Sequence, residues 1–396
     1  MRHVKGLNFS AVREHAGRLG VVSYPSGLAF FLLVCAAVAS WAADVSTYTF
    51  ANCGFRDTGQ TQCFDNAATP APGACPLGNP GQDGDYSPAS LQPRYTVYPG
   101  SVTVDDLTGL MWTSTGSNNG VPSTWANALQ SCENSTFAGY SDWRLPNIKE
   151  LAGIADYGAA AGIYAKFFPN TMAGPYWSST TYPSGTTDAY TVDYSAGVTV
   201  FYTPKTSSIY MRCVRGGFPH AAEKSVYSFN SGMNCEGVYR SPDTSTRPYH
   251  SGTNGDDSTY QPAVSSPSYT NNSDGTTTDN VTGLMWARGA SIISYTWATA
   301  LSSCTTTMNS GSGYANYTDW RLPNALELLS IADYGVASGP YINNTDFPGT
   351  MANYYWTSTT YVPDPKSAIG VGFSSGVSVY DVKTNSFYVR CVRGGW

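Results

Sequence analysis

The chain has 396 residues, which is enough for two or three domains of ordinary size. Charged residues make up only 12% of it, about half the usual ~25% of soluble proteins, and the formal net charge is -6. Sparse charge of this sign argues against a basic nucleic-acid-binding surface and against a long charged coiled coil. The 29 tyrosines and 10 tryptophans are ample for a hydrophobic core, so the composition predicts a folded chain.

Residues 1–42 have the pattern of a secretory signal peptide. An apolar run over residues 27–39 follows four basic residues, and small residues at Ser40 and Ala42 suit cleavage after Ala42. About 13 apolar residues are too few for the ~20 of a membrane-spanning helix, and no later stretch is long and apolar enough. We therefore predict a protein that is secreted or held at the cell surface, without a membrane span in the mature chain. Cleavage leaves 17 of the 21 basic and 26 of the 27 acidic residues, a net charge of -9.

The rest of the chain contains a repeat of domain size. Five motifs occur twice in the same order, at an offset that rises from 174 to 179 residues. A period this long corresponds to a whole domain rather than to a solenoid unit. We predict a first domain over residues 43–218, which includes an N-terminal extension, and a second domain over residues 219–396. The motif pairs are 108–112 with 282–286, 142–147 with 319–324, 154–158 with 331–335, 168–182 with 347–361, and 212–217 with 390–395.

Each repeat is predicted to contain two helices. Apolar residues follow Thr124 at helical spacing, and the second repeat keeps this pattern after Thr296. A second helix is predicted after each Trp-Arg-Leu-Pro motif, where Asn147 or Asn324 with a glutamate three residues later forms a capping box. The glycine of each Asp-Tyr-Gly motif is a natural C-terminal stop.

Short aromatic and β-branched runs, separated by turn residues, predict an antiparallel meander after the helices. The fold class is therefore predicted to be α+β, with two helices packed on a short-stranded antiparallel sheet in each of two tandem domains. Because each repeat has its own elements, we expect residues 219–396 to fold alone once Cys235 is replaced by Ser. The predicted strands of the first repeat are 176–181, 189–194, 198–202 and 209–214.

The cysteines indicate disulfides. Eight remain once Cys35 is removed with the signal peptide, an even number that suits an oxidising compartment. No C-x-x-C pair occurs, which disfavours a metal site. The repeat gives each domain one cysteine in the first helix and one in the last strand, and these are expected to pair. The predicted pairs are Cys132–Cys213, Cys304–Cys391, Cys63–Cys75 and, between the domains, Cys53–Cys235.

The five motifs together resemble the Lcl C-terminal domain family, which is named after the Legionella collagen-like adhesin. The resemblance covers both repeats, essentially residues 53–396. It implies an exported bacterial, adhesin-like protein with C-type-lectin-like domains, in which a disulfide joins the first helix to the last strand. The founding member binds glycosaminoglycans, whereas a net charge of -9 suits sulfated glycans poorly. Four motif arginines are expected to serve structure rather than anion binding: Arg144, Arg212, Arg321 and Arg390.

Tyrosines outside the central motifs are the candidate ligand-binding residues. Tyrosine offers a rigid, amphipathic contact surface at low entropic cost. The alternative is that these side chains only fill the edges of the sheets. The candidates are Tyr182, Tyr190, Tyr202, Tyr355 and Tyr361.

Two further patterns have a functional and a structural interpretation. The Asp-Trp-Arg triplets at 142–144 and 319–321 could contact a sugar, but an Asp–Arg pair beside a core tryptophan is favoured. The loops 83–85, 105–106 and 254–257 are rich in the oxygen ligands that Ca²⁺ needs, and they are also ordinary turn formers. No cofactor is predicted, and calcium is kept as an alternative.

We predict an exported, non-catalytic binding module that recognises a glycan or protein ligand, with no nucleic-acid partner. The sequence contains no catalytic constellation. One alternative is a secreted hydrolase that acts on glycans through carboxylates that converge only in the folded chain. The other is a structural component of a surface assembly.

Overall fold

A computed structural model describes residues 55–87, 91–98, 101–115, 120–216, 255–257 and 267–394. The predicted signal peptide, the boundary near residue 218 and the predicted Cys53–Cys235 pair lie outside these ranges. Ahead of the first repeat, β1 (Cys63–Phe64) pairs antiparallel with β2 (Pro72–Gly73), and a short 3₁₀ turn, Asp83–Tyr86, follows.

Seven strands of the first repeat form two antiparallel sheets. They are β3 (Tyr95–Tyr98), β4 (Val102–Asp105), β5 (Met111–Thr113), β6 (Pro175–Thr181), β7 (Asp188–Asp193), β8 (Thr199–Pro204) and β9 (Val214–Arg215). The first sheet has the order β3-β4-β5-β9, and the second is the three-stranded meander β6-β7-β8. The meander agrees with the sequence prediction, but only the end of the predicted strand 209–214 forms β9, which returns to the first sheet.

The second repeat has the same two sheets. Its strands are β10 (Tyr269–Asn271), β11 (Thr276–Asp279), β12 (Met285–Ala287), β13 (Tyr354–Thr360), β14 (Ser367–Gly372), β15 (Val377–Val382) and β16 (Val392–Arg393). Their orders are β10-β11-β12-β16 and β13-β14-β15. In the outer strands β8 and β15, half-buried and exposed residues alternate over the last four positions.

The helices are short. Thr124 and Thr296 precede the first helix of each repeat as predicted, although neither side chain makes a capping hydrogen bond. The predicted capping boxes at Asn147 and Asn324 are confirmed. Within the described ranges, no helix combines the length and the apolar character that crossing a bilayer requires. The four α-helices there are α1 (Trp125–Glu133), α2 (Ile148–Gly153), α3 (Trp297–Ser302), which continues into a π-helical turn, and α4 (Ala325–Ser330).

The predicted fold class is wrong. The described residues form five small antiparallel sheets with few short helices, and not two helices packed on one sheet in each C-type-lectin-like domain. The apolar spacing that predicted the helices extends over only about two turns in each case, and α2 and α4 end well before Gly158 and Gly335. Among the eight fully buried tryptophans of the described ranges, four lie on strands and two on helices, which suits the β propensity of aromatic residues.

One hydrophobic core extends across both repeats. It contains Trp112 from the first repeat and Trp286 from the second, both fully buried, and it includes the apolar residues of α2 and α4. Each repeat also has a smaller cluster of its own around α1 or α3. The shared core runs against the expectation that residues 219–396 fold alone, because separation would expose the buried face of α4 to water.

Three of the predicted disulfides are confirmed. Cys63–Cys75 closes the segment ahead of the first repeat. Cys132–Cys213 and Cys304–Cys391 each join the first helix of a repeat to the end of the same repeat, with sequence separations of 81 and 87 residues. Closing loops of this length restricts the unfolded chain and contributes about 4–5 kcal/mol in the loop-entropy model.

Candidate ligand-binding surface

The two meander sheets meet along their outer strands. β8 and β15 pack against each other, and the backbone N–H of Val200 donates a hydrogen bond of 2.8 Å to the hydroxyl of Ser378. An outer strand normally presents unpaired backbone groups to other chains. Here each repeat covers part of the other repeat's outer strand, so the two sheets form a continuous surface at this seam.

A stacked pair of tyrosines lies on the first repeat's side of the seam. The rings of Tyr182 and Tyr202 are parallel to within 4°, and their centroids are 3.9 Å apart. Tyr202 lies on β8 and is 39% exposed, whereas Tyr182 follows β6 and is half-buried. Tyr190, on β7 between them, is buried and meets the Tyr182 ring edge-on at 5.6 Å. We call Tyr182 and Tyr202 the first tyrosine platform.

The second repeat has an equivalent stacked pair, which we call the second tyrosine platform. Tyr361 and Tyr380 are parallel to within 2°, again with centroids 3.9 Å apart. Tyr380 lies on β15 and is 49% exposed. The sequence prediction included Tyr361 but missed Tyr380. Aligning the two repeats would have predicted Tyr380, because it occupies the position of Tyr202 in the outer strand.

A hydrogen bond to the opposite repeat supports each platform, directly through Tyr361 in the second platform and through the neighbouring Tyr190 in the first. The hydroxyl of Tyr361 donates to the carbonyl of Ala196 at 2.5 Å, and the hydroxyl of Tyr190 donates to the carbonyl of Ser375 at 2.7 Å. Burial raises the pKa of Tyr361 to about 12, so the phenol stays neutral and keeps its donor at physiological pH. These contacts orient the rings without involving the exposed faces of Tyr202 and Tyr380.

The platforms differ in one neighbour. Tyr341 of the second repeat lies beside Tyr182, with the ring centroids 6.2 Å apart and the planes within 18°. Its hydroxyl shares a 2.5 Å hydrogen bond with that of Ser184. The first tyrosine platform is therefore extended by a third aromatic ring.

Tyr355, the remaining candidate, lies elsewhere. It is fully buried in the shared core, and its hydroxyl accepts a hydrogen bond of 2.9 Å from the backbone N–H of Met351. Tyr176 occupies the equivalent position in the first repeat and makes the same bond to Met172. The structure thus brings Tyr182, Tyr190 and Tyr202 together and places Tyr361 across the seam.

The Asp-Trp-Arg triplets belong to the interior. Trp143 and Trp320 are buried, which confirms the structural interpretation, but the predicted pairing inside each triplet is wrong. Arg144 instead forms a bidentate ion pair with Glu150, at 2.6 and 2.7 Å, because both side chains are buried at the start of α2. Asp142 pairs with Arg215 on β9 at 2.6 Å.

The four motif arginines serve structure, as predicted. All of them are at most 4% exposed. Arg212 and Arg390 donate to backbone carbonyls at the end of β5 and β12 and to the hydroxyls of Thr171 and Thr350. Buried guanidinium groups with this many partners offer nothing to an external anion.

The acidic loops proposed for calcium are engaged internally wherever they are described. Asp105 forms an ion pair with Arg56, and Asp83 accepts hydrogen bonds from the hydroxyls of Thr58 and Thr359 at 2.7 and 2.6 Å. Asp85 lies beside Cys63 and Cys75, but these two sulfurs form a disulfide and are not available as thiolate ligands.

Two carboxyl groups do converge in the interior. Asp57 and Asp83 are both at most 3% exposed, and the charge of Asp57 contributes to the raised pKa of Asp83. Burial raises the pKa of Asp57 to about 7 and also raises the pKa of Asp83. Because both carboxyl groups are covered, they lack the open cleft that a glycan-hydrolysing pair requires.

The sequence interpretation also missed a pair of partly buried lysines. The ammonium of Lys205 lies 4.0 Å from the ring centroid of Trp125, and that of Lys383 lies 3.9 Å from the ring centroid of Trp297. Each donates a 2.9 Å hydrogen bond to a threonine hydroxyl at the end of the first meander strand. Burial lowers the pKa of Lys205 to about 8 and that of Lys383 to about 7.

Fold and site together define a duplicated, disulfide-linked antiparallel β protein with one tyrosine platform in each copy. The chain belongs to the Lcl C-terminal domain family, since residues 101–215 and 275–393 both match the model of the Lcl C-terminal domain. These two matches confirm the tandem resemblance seen in the sequence motifs. No curated protein matches the chain.

Proposed function

We propose that this protein is an exported, non-catalytic, adhesin-like binding module, and that its two tyrosine platforms contact the ligand. The observation that carries the proposal is the repetition of one arrangement. In each copy a ring on the outer meander strand, 39% or 49% exposed, stacks on a ring that follows the first meander strand and contacts the opposite repeat. Membership of the Lcl C-terminal domain family supports an adhesin-like role.

The ligand class we favour is a neutral glycan. An aromatic ring fixed in orientation presents an apolar face to the C–H groups of a sugar. Its hydroxyl and nearby amides can form hydrogen bonds with the sugar hydroxyls. The four buried motif arginines leave few cations for a sulfated glycan, and a net charge of -9 for the mature chain repels one. A protein ligand that uses the same exposed rings is the competing outcome.

Export and residence at the cell surface are part of the same proposal. They rest on the signal-peptide pattern of residues 1–42 and on the three disulfides, which persist in oxidising compartments. For the alternative hydrolase, the converging carboxyls Asp57 and Asp83 are buried and hydrogen-bonded, so this pair does not favour it.

A glycan array tests the proposal. The mature chain is applied beside the double variant Tyr202→Ala/Tyr380→Ala and the control Tyr98→Ala, which removes a tyrosine that is 41% exposed on β3. We expect the wild type and the control to bind the same neutral glycans and the double variant to lose them. Binding that survives in the double variant contradicts the assignment of the platforms, and an array without any neutral-glycan signal redirects the search to protein ligands.

A further inference from the structure

Residues 63–86, which we call the stapled lobe, form a small unit held together by its own contacts. The Cys63–Cys75 disulfide closes it. The Gln82 side chain donates to the carbonyls of Phe64 and Leu77 at 2.9 and 2.6 Å, and it accepts from the Phe64 N–H at 2.9 Å. The lobe precedes the family match at 101–215, so it is an addition to the repeat rather than part of it.

Although it precedes the first repeat in the chain, the stapled lobe docks on the second repeat. Asp83 accepts a 2.6 Å hydrogen bond from the hydroxyl of Thr359, at the end of β13. Gly81 has a φ of +93°, and a Cβ there would come within 2.6 Å of the Thr305 side chain, so the close approach requires glycine. The Arg321 guanidinium lies 5.5 Å from the ring centroid of Tyr86.

A second loop makes the reciprocal contact. Gly255-Asp256-Asp257 precedes the second repeat and has the same Gly-x-Asp pattern as Gly81-Gln82-Asp83. Asp257 accepts a 2.7 Å hydrogen bond from the hydroxyl of Thr180, which is the first repeat's equivalent of Thr359. Gly255 has a φ of +88° and lies against Glu133 of α1. The two loops are therefore crossed, and each docks on the repeat that it does not precede.

The docking threonine of each site is oriented by a hydrogen bond within its own repeat. The Thr359 hydroxyl accepts a 2.9 Å hydrogen bond from the backbone N–H of Ala325, and the Thr180 hydroxyl accepts one of 3.0 Å from that of Ile148. A hydroxyl that accepts in this way directs its own hydrogen elsewhere, and in both repeats it points at the aspartate. The same small site thus occurs twice, and it recognises a Gly-x-Asp loop.

We infer that the Thr359 site is a docking surface for the stapled lobe as a separate unit, and that a second copy of this chain can supply the lobe. Each site binds the loop that precedes the other repeat, so neither site requires a loop that is directly joined to its own repeat. The covalent connection sets the effective concentration of the lobe at the Thr359 site of its own chain. For a short flexible linker this concentration is of millimolar order. Exchange of an identical element between two copies then gives a dimer with the same contacts.

Two full-length variants test the inference. Asp83→Ala weakens the lobe but keeps the Thr359 site, and Thr359→Val removes the site's donor but keeps the lobe. Alone, each variant should lose about tenfold in hydrogen-exchange protection over Ala325–Ser330 and Tyr354–Thr360, the order expected for one buried hydrogen bond. Mixed at equal, high concentration, they should form a heterodimer by native mass spectrometry and regain that protection in the Asp83→Ala chain.

Matched controls separate docking from a general loss of stability. Asp257→Ala and Thr180→Val should lose protection over Ile148–Gly153 and Pro175–Thr181 in the first repeat instead. Asp83→Asn keeps an oxygen acceptor and should remain near the wild type. The inference is overturned if the mixture stays monomeric without regained protection, or if Asp83→Ala loosens the first repeat rather than the second.

A second measurement covers the case in which the alanine variant does not fold. Tagged and untagged wild-type chains, with disulfides intact, are unfolded and refolded together at about 1 mM, where exchange competes with the intrachain lobe. The inference predicts that untagged chain is recovered with the tag, and that Asp83→Asn chains behave in the same way. Recovery of tagged chain alone overturns it.

Discussion

Lys205 in the first repeat and Lys383 in the second have nearly the same surroundings but different acidity. The ammonium groups lie 4.0 and 3.9 Å from the ring centroid of a tryptophan, and each donates a 2.9 Å hydrogen bond to a threonine hydroxyl. Burial nevertheless lowers the pKa of Lys383 to about 7 and that of Lys205 only to about 8.

Burial is the main cause of the lowered pKa of both lysines, and the residues around each ammonium add to the difference. Asp256, in the loop ahead of the second repeat, and Asp188 favour the charged form of Lys205, whereas Lys383 has only Asp364 in this role and the ring of Phe64 at 5.7 Å. Duplication has kept the interior of the two repeats alike. The segments ahead of the repeats, which dock crosswise, make the copies unequal.

The largest expected effect comes from a feature that the repeats share. Arg144→Met and Arg321→Met each leave a buried glutamate without its cation, and we expect each to lower the free energy of unfolding by about 3–5 kcal/mol. Denaturant unfolding of the two variants measures this. A double variant that also replaces Glu150 by Gln removes the unpaired charge, keeps the acceptor for the Asn147 N–H and should recover most of the loss. A large inequality between the two arginine variants would contradict the equivalence of the cores.

The next effect is a pH dependence that separates the copies. A lysine with a lowered pKa is protonated in the unfolded chain while it is neutral in the native state. The free energy of unfolding should therefore rise with pH, from about pH 7 to 10.5 for Lys383 and from about pH 8 to 10.5 for Lys205. Lys383→Met should flatten the pH profile more than Lys205→Met. If the two variants flatten the pH profile equally, the stapled lobe and the loop ahead of the second repeat do not make Lys205 and Lys383 different.

A smaller difference is expected at the Asp-Trp-Arg triplets. Asp142 pairs with Arg215, whose side chain is 4% exposed, whereas Asp319 pairs with Arg393, whose side chain is 21% exposed. Asp319→Ala should lower the stability by less than about 1 kcal/mol, as exposed ion pairs do, and Asp142→Ala should lower it by more. Thermal unfolding of both variants checks the order, and a reversed order would break this part of the comparison.

The smallest effect is expected for heparin. Because all four motif arginines are buried and the mature chain is acidic, we expect little retention on a heparin column at ~0.15 M salt, where charges are screened over ~8 Å. A sulfated-glycan site would show as elution well above that salt concentration. Such retention would mean that a basic patch exists on a surface other than the two platforms.

The sequence predicts most contacts between residues that are close in the chain, and most features that occur in both repeats. The Asn147 capping box involves residues three apart, and the disulfides of the two repeats follow from aligning Cys132 with Cys304 and Cys213 with Cys391. Local spacing and repetition are sufficient for such features. Which three of the five candidate tyrosines lie in one cluster is seen only in the structure.

Features that depend on distant strands escaped the prediction. Asp142 has an arginine two residues away, yet its partner is Arg215, because β9 returns beside β5 and brings that guanidinium to the carboxylate. The fold class was wrong because periodicity indicates a helix without indicating its length. The docking of Asp83 on Thr359 joins residues 276 positions apart and has no local signal.

The central claim is that the two tyrosine platforms bind one class of ligand in equivalent ways. The most direct test is calorimetric titration of a neutral oligosaccharide selected from the array into the wild type, Tyr202→Ala, Tyr380→Ala and the double variant. We expect each single variant to lose one of two sites or about tenfold in affinity, at ~1–1.5 kcal/mol for an aromatic contact, and the double variant to show no heat of binding. Unchanged affinity in the double variant, with its fold intact by circular dichroism, would contradict the claim.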